Sequence, residues 1–573
     1  MLKMIKRLPP LGVFAAITFL LVQVASMLYL PYVTADIVNK GLMKGDIVHI
    51  WSQGLLMIAV SFGGLLGALL NTLIFSKISY TLGGELRSDI YRKAMSFSKY
   101  EFDKFGASSL MTRNTNDVAQ VQNLSEMAMK FLILSPALLF GGIVMTYLLS
   151  PRLALIFSGT LPFLAIAAFV IYRFASPLYA KMQKLLDSLN LFFREGLSGV
   201  KVIRAFNKEN QEYEKYKSAN QEYTRTSITA ATIMGVFSPI ITMIISLSTI
   251  LIVWTGGHAV QAGTMEIGTI MGAISYAAQI LMGFGMLTNV ILAVPRGQIS
   301  ADRILEVLEM PMNINDPEHA TQVEKMKTRL TFESVDFRYP GAGQKILEGV
   351  SLSVQAGQTL AVIGNTGGGK SSLVNLIPRL YDVENGCIRI NNTDIRELDQ
   401  KTLHELVSFS PQKSTLFLGS LRSNLLIGKP GATDGEIWAA LAMAEATEFI
   451  CTLPAGLDSL VEKGGGNFSG GQKQRLCIAR ALLKDAQIYI FDDSFSALDF
   501  KTDAAVRAAM KEKLAQAVTV IVAQRVSTIM QADLIAVLDN GKLAGLGTHA
   551  QLSASNPVYQ EIIESQFYKE AAL

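Results

Sequence analysis

Gly-Asn-Thr-Gly-Gly-Gly-Lys-Ser, residues 364–371, has the spacing G-x-x-x-x-G-K-[ST]. The apolar run Gln358–Gly364 reads as a buried strand, and Ser372-Leu-Val-Asn-Leu-Ile reads as a helix start. Strand, loop and helix in that order let glycine backbone curl N–H groups around phosphate oxygens at the positive end of a helix. The expected cradle is Gly364, Asn365, Thr366, Gly367, Gly368, Gly369, Lys370, Ser371 and Ser372. Lys370 neutralises β- and γ-phosphate charge, and the Ser371 hydroxyl is placed to ligate Mg²⁺. The stretch predicts a nucleoside triphosphate site in an α/β domain.

That domain is a fraction of the chain. Single cores rarely exceed about 250–300 residues, and this chain has 573, of which 50% are hydrophobic and 17% charged, with mean hydropathy +0.33. Such an average places part of the chain in lipid. A net charge of +4 gives no reason to expect a nucleic-acid partner. The three cysteines, Cys387, Cys451 and Cys477, lack metal-type spacing and read as buried or reduced thiols.

Apolar runs near Leu11–Tyr32, Ile50–Phe75, Phe131–Ser150, Leu153–Arg173, Ile228–Val260 and Ile267–Val294 are each long enough for a helix to cross the ~30 Å of hydrocarbon in a bilayer. The first, behind Met-Leu-Lys-Met-Ile-Lys-Arg, has the basic start of a signal peptide but the length of a span. Lys77, Arg87, Arg92, Lys93, Lys99, Lys104 and Arg113 lie between spans two and three, and a similar set lies between spans four and five. The opposite loops hold only Lys40, Lys44 and Arg152. The positive-inside rule therefore predicts cytoplasmic termini and a cell-membrane location.

The two basic connections, each roughly 55 residues, far exceed ordinary loops and mix apolar with charged residues at helical spacing. They read as helical extensions projecting about 40 Å, with turning points near Gly106–Arg113 and Phe206–Asn210 as docking surfaces for a cytoplasmic domain. No Lys, Arg, Asp or Glu stands near a span midpoint, which argues against ion coupling. Gln23, Asn71, Gln279 and Asn289, with Tyr276, Met243, Met282 and Met286, either line a cavity for amphipathic molecules or serve helix packing. The expected divisions are 1–310 for the spans, 311–328 for a linker rich in Pro and Asn, and 329–573 for the nucleotide domain.

Within 329–573, the run Gln487–Asp493 reads as a strand ending in two carboxylates, and Asp492 fits the acid that holds Mg²⁺. Phe468-Ser-Gly-Gly-Gln472 opens a helical run, so Ser469, Gly470, Gly471 and Gln472 make a second anion corner. One nucleotide does not need two such corners in one domain. The second is expected to close on a nucleotide held by another domain.

Taken together, these residues resemble a half-transporter of the ATP-binding cassette (ABC) exporters over essentially the whole chain. The resemblance implies ATP and Mg²⁺ as cofactors, Tyr339 stacking on adenine, and Gln412 touching Mg²⁺. It implies Phe468–Gln472 as the signature sequence, Ser496–Asp499 as the loop linking two ATP sites, and the segment around Glu462 as a meeting point with the membrane domain. Phe468 and Gly368 depart mildly from the family pattern. Two departures weigh more: hydrolysing members carry Glu and His where this chain has Asp493 and Gln524. The aspartate carboxylate falls about 1.5 Å short, a misplacement that can cost ~10²-fold, and Gln524 cannot carry positive charge.

The chain thus resembles the degenerate-site subunit of bacterial heterodimeric multidrug exporters. It is expected to pair with a non-identical half-transporter in the lipid bilayer and to move small amphipathic compounds outward. An ATP-gated channel or regulator is the alternative, and six spans disfavour a soluble ATPase. The start of the chain shows no peptidase-like extension, which disfavours processing-coupled peptide export; lipid, peptide and drug cargoes stay open.

Overall fold

The computed structural model describes residues 6–319, 321 and 328–570. The first five residues of the basic N-terminus and most of the second half of the expected linker, 320 and 322–327, lie outside them. Two compact units emerge: the chain up to Met95 with Ser108–Met310, and Ser96–Ala107 with the chain from Pro311 onward.

The first unit holds six helical segments long and apolar enough to cross a membrane: Pro10–Leu42, Ile47–Met95, Ala107–Leu149, Pro151–Ser198, Glu209–Gln261 and Ile267–Leu308. The first packs on the second, the third on the sixth and the fourth on the fifth. Small residues permit this: a Cβ on Gly67 would stand 2.8 Å from the Phe19 carbonyl, and one on Gly283 3.0 Å from that of Ser135. The helices run well past their apolar runs, so the expected extensions are present as continuous helix, Ile47–Met95 being 49 residues long. Two π-helical turns, Ile37–Leu42 and Arg113–Asp117, were not signalled by the sequence. At the second, buried Asp117 accepts from the Ser300 hydroxyl at 2.9 Å, and Arg113 pairs with Glu306 at 2.8 Å.

Several residues nominated for a cargo cavity serve helix packing. Asn71 Nδ2 donates to Gln23 Oε1 (2.6 Å), Gln279 Nε2 to the Met27 carbonyl (2.6 Å) and the Tyr276 hydroxyl to the Leu28 carbonyl (2.7 Å). Lipid offers these groups no other partners, so they bridge helices.

In the second unit a six-stranded sheet runs in the order Lys542–Gly547, Leu534–Asp539, Thr359–Gly364, Val518–Val522, Ile488–Asp492, Val407–Ser410. All neighbours are parallel except the first pair. The central strands are apolar throughout because both faces are covered. Register decides the site. Val362 pairs with Val522 and Val522 with Asp492, while Ser410 pairs with Phe491, so the loops after four strands leave one sheet end together. A four-stranded antiparallel sheet, Leu347–Gln355, Arg329–Phe337, Asn385–Ile390, Thr393–Asp394, packs a second apolar core. It carries Tyr339 just past its second strand. Helix Gly470–Leu483 lies in a further core with Asp434–Met443.

Candidate nucleotide site

The phosphate loop leaves strand Thr359–Gly364 and enters helix Lys370–Leu376. Gly364 has φ 155°, and a Cβ there would stand 2.0 Å from the Leu538 carbonyl; Gly367 and Gly369 have φ 86° and 90°. Glycine is therefore required at 364 by space and at the other two by conformation. Lys370 Nζ, half withdrawn from water, donates to the carbonyls of Gly364 (2.7 Å) and Asn365 (2.9 Å). Burial pushes its pKa down, and the nearby Asp493 and Asp492 carboxylates oppose that. A desolvated ammonium at the mouth of a glycine cradle fits the charge of a triphosphate.

Ser371 Oγ donates to Asp492 Oδ1 at 3.0 Å. Asp492 is only 4% exposed, and burial raises its pKa against that bond. Two hard oxygens side by side suit Mg²⁺, which takes few protein ligands and fills its shell with phosphate and water. Among the described residues no cluster of three His, Cys, Asp or Glu is present.

Asp493 stands just outside its strand at φ 48°, a conformation that costs a non-glycine residue on the order of 1 kcal/mol. Its N–H donates to the Val522 carbonyl at 3.0 Å, and its Oδ2 accepts from Gln524 Nε2 at 3.0 Å. Burial raises its pKa, offset by Gln412, Ser496 and Gln524 beside it. Both departures from the family pattern thus meet in one bonded pair. Gln412 is exposed next to them.

Tyr339 is tied to the cradle: its hydroxyl lies 2.9 Å from Ser372 Oγ, and its ring meets Phe337 and Tyr381 edge-on at 4.9 and 5.2 Å. The second anion corner is built separately. Ser469 Oγ accepts from Gln472 N (3.3 Å) and Gln472 Oε1 from Ser469 N (2.9 Å), a capping box that leaves Gly470 and Ser469 exposed. Phe468 is buried against Phe449, so its exchange for leucine is a packing matter. Glu462 is exposed, with its N–H donating to Asn467 Oδ1 at 3.1 Å.

Sequence reasoning missed Gln474. Its Oε1 accepts from Ala497 N (2.9 Å), and its Nε2 donates to Ser496 Oγ (3.2 Å), tying the signature helix to the stretch Ser496–Asp499. Arg525 donates to the Ser496 and Leu498 carbonyls, each at 3.3 Å. Neither contact has a local sequence signal.

A glycine phosphate cradle and a two-oxygen Mg²⁺ position, in one chain with six spans, define the class: an ATP-driven membrane transporter. Residues 13–284 match the ABC transporter transmembrane region and residues 347–496 the ABC transporter domain. A solved bacterial Atm1-family ABC exporter with ATP bound is similar throughout, with TM-score 0.82 and 25% identity over 97% of this chain and 99% of that one. An uncharacterized ABC transporter ATP-binding protein of Mycobacterium tuberculosis is 38% identical over 550 residues, 95% of this chain and 94% of its own. The uncharacterized YfiB of Bacillus subtilis is 33% identical over 574 residues, the full length of both. The chain belongs to the ABC exporter family, as a multi-pass half-transporter whose ATP-binding domain is an ATPase coupled to transport.

Proposed function

We propose that this chain is the slow-site subunit of an exporter that works with a second, non-identical half-transporter. ATP stacks on Tyr339 and lies in Gly364–Ser372, with Lys370 on its β- and γ-phosphates and Mg²⁺ held by Ser371, Gln412 and Asp492. Ser469–Gln472 closes on the partner's nucleotide, where hydrolysis proceeds. The cargo is an amphipathic or hydrophobic compound, drugs being the class to which the resemblance points. The termini and the nucleotide domain face the cytoplasm, with 1–310, 311–328 and 329–573 as the working divisions.

The observation that carries this reading is the Asp493–Gln524 pair at 3.0 Å. A carboxylate one methylene short, already accepting from an amide, is badly placed to take a proton from water. The amide engaged with it cannot supply positive charge to a γ-phosphate. The chain is expected to retain ATP at its own site and turn it over slowly.

Steady-state ATPase of the co-purified pair tests this. Asp493→Asn should reduce the rate modestly, while Ser469→Arg, which sets bulk and charge against the partner's phosphate, should nearly abolish it. The two losses should differ at least about tenfold, or ~1.4 kcal/mol. Equal losses, or robust turnover by this chain alone, would show the slow-site assignment to be wrong. Uphill transport in vesicles holding both chains separates an exporter from an ATP-gated channel, which would pass solute only downhill.

A further inference from the structure

The C-terminal helix Pro557–Glu570 makes a contact that no motif announces. Gln566 Oε1 accepts from the Val526 N–H at 2.8 Å, and its Nε2 donates to the Gln524 carbonyl at 2.7 Å. One side-chain amide thus satisfies the backbone on both sides of Arg525, as a neighbouring strand would. The strand Val518–Val522 has ended by this point, so the segment has no ladder of its own. The helix can bear the load. Its start is pinned by Asn556, which donates to the Ala544 carbonyl at 2.9 Å and accepts from Tyr559 N at 2.8 Å. Tyr559 is fully buried, with its hydroxyl 2.9 Å from His549 Nδ1.

The segment has somewhere else to go. Asp493, Gln524, Arg525, Ser527 and Gln566 help to wall an open cavity of about 470 Å³. Without the two amide bonds the backbone at 524–526 is free to relax into that space, and the Gln524 side chain would lose its aim at Asp493. Because Arg525 also holds the Ser496 and Leu498 carbonyls, the same bonds fix the stretch that leads through Gln474 to the signature helix. We propose that Gln566 is a positioning residue for the switch segment: from the C-terminal helix it sets where Gln524 points. The proposal rests on the slow-site reading above and adds to it that the Gln524 amide, though uncharged, donates a hydrogen bond to the γ-phosphate of ATP held at this chain's own site.

A switch glutamine can touch ATP but not ADP, so the test compares the two. Release of a fluorescent, non-hydrolysable ATP analogue and of fluorescent ADP is timed from the full-length chain. Gln566→Met keeps length and volume while removing both bonds. It should speed release of the ATP analogue about fivefold and leave ADP release within about 1.5-fold, roughly the loss of one net hydrogen bond. Gln566→Glu keeps the acceptor for Val526 N–H but sets an acceptor-only oxygen against the Gln524 carbonyl, and should speed ATP-analogue release at least as much as Gln566→Met. Gln524→Ala should reproduce the effect, and adding Gln566→Met to it should change little further. Equal acceleration of both nucleotides would mark Gln566 as merely structural and overturn the proposal. So would an effect of Gln524→Ala with none of Gln566→Met. If neither variant separates ATP from ADP, the γ-phosphate role of Gln524 falls, and this inference with it.

Discussion

Two turns join the long helices on the same side of the six spans, and they are finished differently. The first, Ser96–Ala107, belongs to the same compact unit as the nucleotide domain. In it Glu101 is fully buried, Phe105 is nearly so, and Asp103 accepts from the Tyr381 hydroxyl at 3.0 Å. In the second, helix Val200–Ala205 buries none of its residues, and Leu197, Val202 and Phe206 are 63%, 61% and 70% exposed. Both stretches mix apolar and charged residues, so composition does not separate them. What differs is whether the chain itself supplies the cover. The anion corners repeat the contrast: Gly364–Ser372 has its acid, its switch residue and its aromatic in the same chain, whereas Ser469–Gln472 is capped and left open. The proposed pairing gives the difference a reason: the turn and the corner that this chain leaves open are the ones a second half-transporter would cover.

The largest expected effect breaks the open turn. Phe206→Asp removes a ring that is 70% exposed, so ATP affinity and thermal stability should stay within about 0.5 kcal/mol of wild type. ATPase of the assembled transporter should fall about tenfold if the turn docks on a partner. Unchanged ATPase would make the second turn an ordinary solvated bend.

The closed turn answers to a different measurement. Glu101 caps its own helix by accepting from Ser98 N at 2.8 Å and reaches Asn313 N at 2.9 Å. Glu101→Ala should cost about 2 kcal/mol in unfolding free energy, through the lost cap and an orphaned N–H. Burial pushes the Glu101 pKa up, but the Ser98 and Asn313 bonds outweigh it, and the net shift is downward. A depressed carboxylate stabilises the fold above its unfolded pKa of about 4.3, and that contribution is lost as pH falls through the folded value. The gap between wild type and variant should therefore be full at pH 7 and close on acidification. A gap independent of pH would assign the cost to packing rather than to the charge.

Much of this was legible where backbone geometry leaves little choice. The phosphate loop could be read because its glycines are compelled, by a carbonyl 2.0 Å away at Gly364 and by positive φ at Gly367 and Gly369. The strand ahead of Asp492 was read to within a residue of Ile488–Asp492, because a strand buried on both faces is continuously apolar. Hydropathy marks where lipid stops, not where helix stops; the helical spacing of the basic connections carried the reading past the spans, and the second helix continues to Met95. Gln23, Asn71, Gln279 and Tyr276 were ambiguous for a related reason, since a polar residue in lipid looks the same whether it bonds a neighbouring helix or faces cargo. Contacts such as Gln566 with Gln524, 42 residues apart, leave no periodic or local trace at all.

The smallest effect sharpens the comparison most finely, because it removes one bond and nothing else. The Tyr381 ring packs on Phe337 and Tyr339, and its hydroxyl reaches Asp103 of the first turn. Burial and the neighbouring Asp103 both push the phenol up, so it stays a neutral donor over the working pH range. Tyr381→Phe leaves the aromatic contact in place, and Asp103 keeps its ion pair with Lys99, so no charge is orphaned. The loss should be close to that of one net hydrogen bond to a partly exposed acceptor, about 0.5–1 kcal/mol in unfolding free energy. ATP affinity should be unchanged, because Tyr339 is still packed. If the first turn is held by burial of Glu101 and Phe105, ATPase of the assembled transporter should drop no more than about twofold. A drop approaching that of Phe206→Asp would mean that the closed turn hangs on a single bond, and the contrast between a finished and an unfinished turn would have to be given up.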